Sequence, residues 1–262
     1  MSQAMFMELR QALSEAGISR INEDYHPPRF VSAFSLLGLQ SGIQLVDGLV
    51  GGLKPSTIAL ITGTQIRLQA AERYCVRAGM PERLGGLAGK TFFIDGGNSF
   101  DIYLFTSIAR EHELNLEEVL DNLIISRAFT PYELQQLVCK DSKGVFEAHH
   151  PKLVVISDVF ELFNEDVEVY EARRIIGRIA DAVKRISKRE QVPVVMTSGP
   201  AEQLRDLGEC STVAVEIIEG EPWSKSRVLK HPTKKPMEVL TENSGKHYNQ
   251  KLLVPPAVIR HG

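Results

Sequence analysis

The chain has 262 residues, 43% of them hydrophobic and 24% charged, enough to bury the core of one large α/β domain with or without a small appendage. A net charge of −3 and a pI near 6.2 exclude a wholly basic nucleic-acid binder and leave room only for a local basic patch. Apolar runs no longer than a strand exclude a membrane span, the acidic N-terminal segment excludes a signal peptide, and Cys75, Cys139 and Cys210, widely spaced and without a C-x-x-C, argue against zinc and for a reducing intracellular setting.

Met5–Ala16 reads as a short amphipathic helix stopped by Gly17, followed by a polar linker around Pro27-Pro28. Residues 1–36 are therefore expected to form an N-terminal helix and linker, and 37–262 the core domain. From about Ser41 the pattern alternates. Strands are expected at 57–62, 91–95, 122–126, 152–157 and 192–197, and helices at 67–78, 99–112, 131–140 and 168–190. The last helix carries Ile175, Ile176, Ile179, Ala180, Val183 and Ile186 on one stripe with Arg and Lys opposite. Near-continuous apolar strands separated by amphipathic helices predict a mostly parallel central sheet flanked by helices. After residue 212, the runs TVAVEIIEG, SRVLKHP and MEVLTE, with turns between them, predict antiparallel C-terminal strands extending that sheet.

The junction between the first strand and its helix is the most informative place. A phosphate-binding loop there needs G-x-x-x-x-G-K-[ST], with glycines that let N–H groups wrap phosphate, a Lys for the outer phosphates and a hydroxyl for Mg²⁺. Here Gly63 is followed by Thr64, Gln65 and Ile66, with no second Gly, no Lys and too few residues for a cradle.

Several segments, in order, resemble the RecA/RadA-type strand-exchange recombinases, above all the archaeal and eukaryotic paralogues. They are SGIQLVDGLVGGLKPSTIALITG (41–63), GKTFFIDGGNSF (89–100), LNLEEVLDNLIISRAFTPYELQQL (114–137), PKLVVISDVFELF (151–163) and VKRISKREQVPVVMTS (183–198). The resemblance implies a RecA-like P-loop NTPase core, ATP as the cofactor, and DNA and other protomers as partners. The departures from it are equally specific. Arg67 falls roughly where the phosphate-contacting Lys would be; Gly97 stands at the position of the catalytic carboxylate; Ser157 replaces the Walker B aspartate, with Asp158 one place later and directed to the other face. Phosphoryl transfer rests on positioning and charge neutralisation, so three losses together predict a degenerate site (Gly63, Thr64, Gln65, Arg67, Asp158) that does not hydrolyse ATP. No bound cofactor and no metal are expected. His149-His150 lacks ligands at useful spacing.

The family's DNA-binding loops also look reduced. The first interval, ELFNEDVEVYE, holds Glu161, Glu165, Asp166, Glu168 and Glu171, which oppose a phosphate backbone or simply begin a solvated helix. The second, GPAEQLRDLGEC, is short. One basic cluster remains, Lys225, Arg227, Lys230, Lys234 and Lys235, beside Trp223. It reads either as a charged edge strand or as a weak DNA contact. In the linker, Phe30 and Ala33 form the F-x-x-A tetrapeptide that the resemblance associates with docking onto a neighbouring protomer, or else pack on the chain's own core. The expectation is a non-catalytic recombinase paralogue, an intracellular accessory subunit that binds a recombinase or another paralogue as a hetero- or homo-oligomer. The alternatives are a regulatory RecA-like ATPase with a non-standard site, in the manner of KaiC-like proteins, and a self-assembling scaffold without a DNA role.

Overall fold

The computed structural model describes residues 38–163, 167–199, 205–221 and 223–242. The expected N-terminal helix and linker, with Phe30 and Ala33, lie outside them. The elements run α1 (Gln44–Val50), β1 (Ile58–Gly63), α2 (Ile66–Gly79), β2 (Thr91–Asp95), α3 (Ile102–Glu111), α4 (Leu116–Asp121), β3 (Leu123–Arg127), α5 (Pro131–Gln136), α6 (Ser142–His149), β4 (Leu153–Ser157), α7 (Val169–Glu190), β5 (Val194–Ser198), α8 (Arg205–Cys210), β6 (Val213–Ile218), β7 (Trp223–Lys230) and β8 (Met237–Glu242). They build one eight-stranded sheet in the order β3-β2-β4-β5-β1-β6-β7-β8.

The five parallel strands expected from the apolar runs are present within a residue or two; β1, β2, β4 and β5 alternate between two buried faces, whereas β3, at the sheet's edge, is only partly buried and leaves Ile125 exposed. Ala59 and Ile61 enter one core with Tyr74 of α2 and Phe105 and Ile108 of α3. Ile58 and Leu60 enter the other with Ile175, Ile176, Ile179 and Val183 of α7, the stripe read from the sequence, and Ile186 packs at its margin. Burying such a stripe on both sides of the sheet excludes water from the ladder hydrogen bonds and supplies most of the apolar driving force.

Three expectations need correction. TVAVEIIEG joins the parallel part of the sheet on one side: β6 pairs parallel with β1 through Ala59↔Val213 to Gly63↔Ile217, and the expected antiparallel pairing begins on its other side, β6 with β7 and β7 with β8. Direction follows from α8, which returns the chain from β5 across the sheet and supplies the crossover that parallel pairing requires. The helix expected at 131–140 runs on through a π-helical turn, Leu137–Asp141, into α6. Ahead of β1, α1 was not foreseen. The Asp47 carboxylate accepts from Ser41 N at 2.7 Å, Ser41 Oγ at 2.8 Å and Gly42 N at 2.9 Å, which closes the entry loop onto that helix.

Candidate functional site: a filled phosphate place

The parallel strands β1, β2, β4 and β5 end along one edge of the sheet, the edge where open α/β folds bind ligands. Here β1 passes into α2 through Thr64 and Gln65 alone. Gly63 makes the turn with φ +123°, and a Cβ there would stand 1.7 Å from Ile217 O, so only glycine fits against β6. The N-terminus of a helix attracts anions because its first N–H groups lack partners and its dipole is positive. In this chain the anion is internal. Glu219, just beyond β6, accepts from Ile66 N at 3.2 Å and from Thr64 Oγ1 at 3.1 Å, and its own N–H donates to Thr64 Oγ1 at 2.9 Å. Thr64 N donates to Ile217 O.

Arg67, in the first turn of α2, is engaged through Nε and Nη1. Its Nε donates to Asp158 Oδ1 at 2.9 Å, and its Nη1 to Gly63 O and Thr64 O at 3.0 Å each. Glu161 lies 3.9 Å from Nη2. The side chains of Arg67 and Asp158 are 12% and 4% exposed. Asp158 stands past the end of β4 with φ +49°, and its N–H donates to Thr197 Oγ1 of β5. It is thus directed at Arg67, a partner that the strand register alone did not give. Gly97 leaves it room: a Cβ at 97 would stand 2.6 Å from Asp158 Cβ, so a carboxylate side chain there and this Asp158 exclude each other.

Beside this pair, Asp95 is fully buried at the end of β2. It accepts from Ser99 N at 2.9 Å, Ser157 Oγ at 3.2 Å and Arg127 Nε at 3.1 Å, so Ser157 serves this carboxylate. Glu72 of α2 is 2% exposed. Burial pushes its carboxyl up to about 8, helped by the nearby charges of Asp101 and Asp95 and opposed by the Asp101 N–H that it accepts at 2.8 Å. Its other oxygen has no partner among the described residues.

The basic cluster is brought together on β7 and the turn after it, and most of its charge is engaged within the chain. Lys225 pairs with Glu238 at 3.1 Å; Arg227 Nε donates to the nearly buried Glu216 at 2.6 Å. Lys230 Nζ donates to Gly208 O and Glu209 O at the end of α8, and Lys234 Nζ to Gly48 O and Leu49 O at the end of α1. Both favour a helix C-terminus for the same dipolar reason. His231 Nε2 also meets Val50 O at 3.2 Å. Lys235 is exposed. Of the acidic interval's described residues, Glu168 is the N-cap residue of α7 and Glu171 lies in its first turn, held by Arg174 at 2.6 Å.

The Rad51 family model matches residues 34–214, most of the chain. The chain belongs to the Rad51 family. The similar curated proteins include the meiotic recombination protein DMC1/LIM15 homolog of Mus musculus, 28% identical over 206 residues, covering 72% of this chain and 61% of that protein. Meiotic recombination protein DMC1 homolog A of Oryza sativa subsp. japonica is 26% identical over 171 residues, covering 63% and 49%. DNA repair protein RAD51 of Mycosarcoma maydis is 24% identical over 176 residues, covering 64% and 52%. The chain thus spans roughly half to three fifths of the length of these relatives.

Of the Rad51-like site residues expected from the sequence, Gly63, Thr64, Arg67 and Asp158 do converge. Gln65 occupies the N-cap position of α2 and makes no side-chain cap bond. Sequence reasoning missed Glu219 and Thr197. The available signal was a carboxylate just past a strand, but that strand's place beside β1 was needed to use it. No helix among the described residues is long and apolar enough to cross a membrane.

Proposed function

We propose that this Rad51-family chain is a non-catalytic accessory subunit of homologous recombination and DNA repair, which binds a recombinase or another paralogue and works without hydrolysing ATP. One observation carries the reading: the place a nucleotide's phosphates would take is filled by Glu219 on the α2 N-terminus and by the Arg67–Asp158 pair. The residues present do not fit a nucleoside triphosphate. An incoming phosphate would have to displace a bonded carboxylate, and it would meet Asp158, Glu161 and Glu219 around a guanidinium already spent on three acceptors. A RecA-like protomer retains assembly surfaces after such a loss. Strand β3 forms one edge of the sheet, and its outer side has no partner strand among the described residues, so a strand can be added there. We place the Phe30–Ala33 segment as the complementary element, docking onto a neighbouring protomer. DNA contact, in this reading, is weak and confined to the strip from Lys225 to Lys235, where internal ion pairs leave little charge for phosphate.

The test is affinity purification of the tagged full chain from its host. The proposal expects a Rad51-family recombinase or paralogue to co-purify whether or not ATP is present. Purification as a homo-oligomer with no family partner favours a scaffold instead, and ATP-dependent capture favours the regulatory ATPase.

A further inference from the structure

A groove of about 610 Å³ opens on the same sheet edge, away from the filled phosphate place, between the segment after β3, the segment after β4 and the start of α7. Phe129, Pro131, Tyr132 and Leu162 line its apolar part, and Glu168 and Glu171 its acidic part. Phe129 is 72% exposed and Tyr132 56%, a large apolar area to leave in water. Pro131 sits at the N-terminus of α5, and Phe129 N donates to Glu133 Oε2, so the aromatic wall is held by a capped helix start. Aromatic walls with carboxylates at one end fit an extended, proline-containing, cationic segment. The rings pack on the prolines and their aliphatic neighbours, and the carboxylates take the flanking Lys or Arg.

The chain itself contains such a segment. Residues 243–262, outside the described residues, read NSGKHYNQKLLVPPAVIRHG, with Lys246, Lys251 and Arg260 and no acid. Pro255-Pro256 favours an extended backbone and disfavours a helix, and Leu252, Leu253, Val254, Val258 and Ile259 are apolar side chains in need of cover. Reach agrees. Strand β8 runs antiparallel to β7, which runs antiparallel to β6, so Glu242 ends on the edge that carries the groove. From β8 to β4 are five strand intervals, about 24 Å at about 4.8 Å each. The eight residues 243–250 span up to about 27 Å when extended. That length is enough for Lys251 to reach the groove.

We propose that the Phe129–Tyr132–Glu168 groove is the seat of this chain's own residues 251–260, bound in the same molecule as an extended strap across the sheet edge. In that seat the segment covers the exposed aromatics.

The test uses the full chain with a benzophenone amino acid in place of Val169, which is 63% exposed beside the groove. Irradiation followed by trypsin, which cuts after Lys251 and Arg260, is expected to join that position to the peptide 252–260 within a single chain, with a yield independent of protein concentration. Leu253→Asp together with Ile259→Asp, both outside the described fold, should abolish the cross-link and leave the far-UV spectrum unchanged. If the Val169 replacement folds poorly, Tyr170, 78% exposed, takes the label. The proposal is overturned if peptide 252–260 is not captured, if capture joins two chains, or if it survives the double substitution. None of these results depends on a recombinase partner, so failure here leaves the proposed function standing.

Discussion

Replacing Arg67 with Ala removes a guanidinium that serves one nearly buried carboxylate and two backbone carbonyls. Asp158 cannot turn to water, because its side chain is 4% exposed and its backbone is fixed by Thr197. Removing one partner of a buried ion pair costs about 3–5 kcal/mol, most of it from the charge left behind. For a domain of this size, 1 kcal/mol moves Tm by about 2–4 °C, so Arg67→Ala should lower Tm by roughly 6–20 °C. Asp158→Asn keeps a residue type that tolerates the left-handed backbone and removes the charge. Combined with Arg67→Ala, it should recover much of the loss, giving a coupling of more than about 1 kcal/mol in a double-mutant cycle. Urea denaturation followed by circular dichroism measures all four species. A loss below about 1 kcal/mol for Arg67→Ala, or strict additivity, would show that the pair does not hold this edge together and that Arg67 is available for other chemistry.

Other consequences are as direct. Because the Glu72 carboxyl is raised to about 8 in the fold, the native state holds a proton that the unfolded chain releases at acid pH. Its contribution is fully present below the ordinary carboxylate range and is lost as pH rises through about 8. Glu72→Gln should therefore flatten the fall in stability across that window, and an unchanged slope would refute the assignment. Lys225→Ala with Lys235→Ala should weaken what DNA binding exists and reduce its salt slope by about two, without unfolding the chain. Arg227→Ala should instead destabilise it, since Glu216 would be left nearly buried without a cation. Phe30→Ala should abolish recombinase capture while Tm stays constant, a loss of about 2 kcal/mol or more of binding for an aromatic anchor; a fall in Tm would make Phe30 a core residue.

The sheet was legible because strands buried on both faces must read as unbroken apolar runs, as Ile58–Ile61 and Leu153–Ile156 do, and α7 because its stripe repeats at helical spacing. The direction of β6 was not, since α8 is a six-residue helix in a short segment that reads as one helical turn, and with so short a connection a following strand looks like a hairpin partner. The absence of a phosphate loop was plain in Gly63–Ile66, but what replaced it was not. Glu219 lies 153 residues from Ile66, and Asp158 lies 91 from Arg67; only the strand order brings them together. The surroundings of the basic cluster were hidden in the same way, because the helix ends to which Lys230 and Lys234 donate are distant in sequence.

In the function proposed above, this Rad51-family core holds its own sheet edge together without ATP. Thermal unfolding of the full chain with and without Mg²⁺ and ATP tests it most directly. Ligand at a hundred times its Kd would add about 2.7 kcal/mol of stability, a shift of roughly 5–11 °C. No shift is expected at millimolar ATP, whereas a clear ATP-dependent rise that Arg67→Met removes would contradict the proposed function.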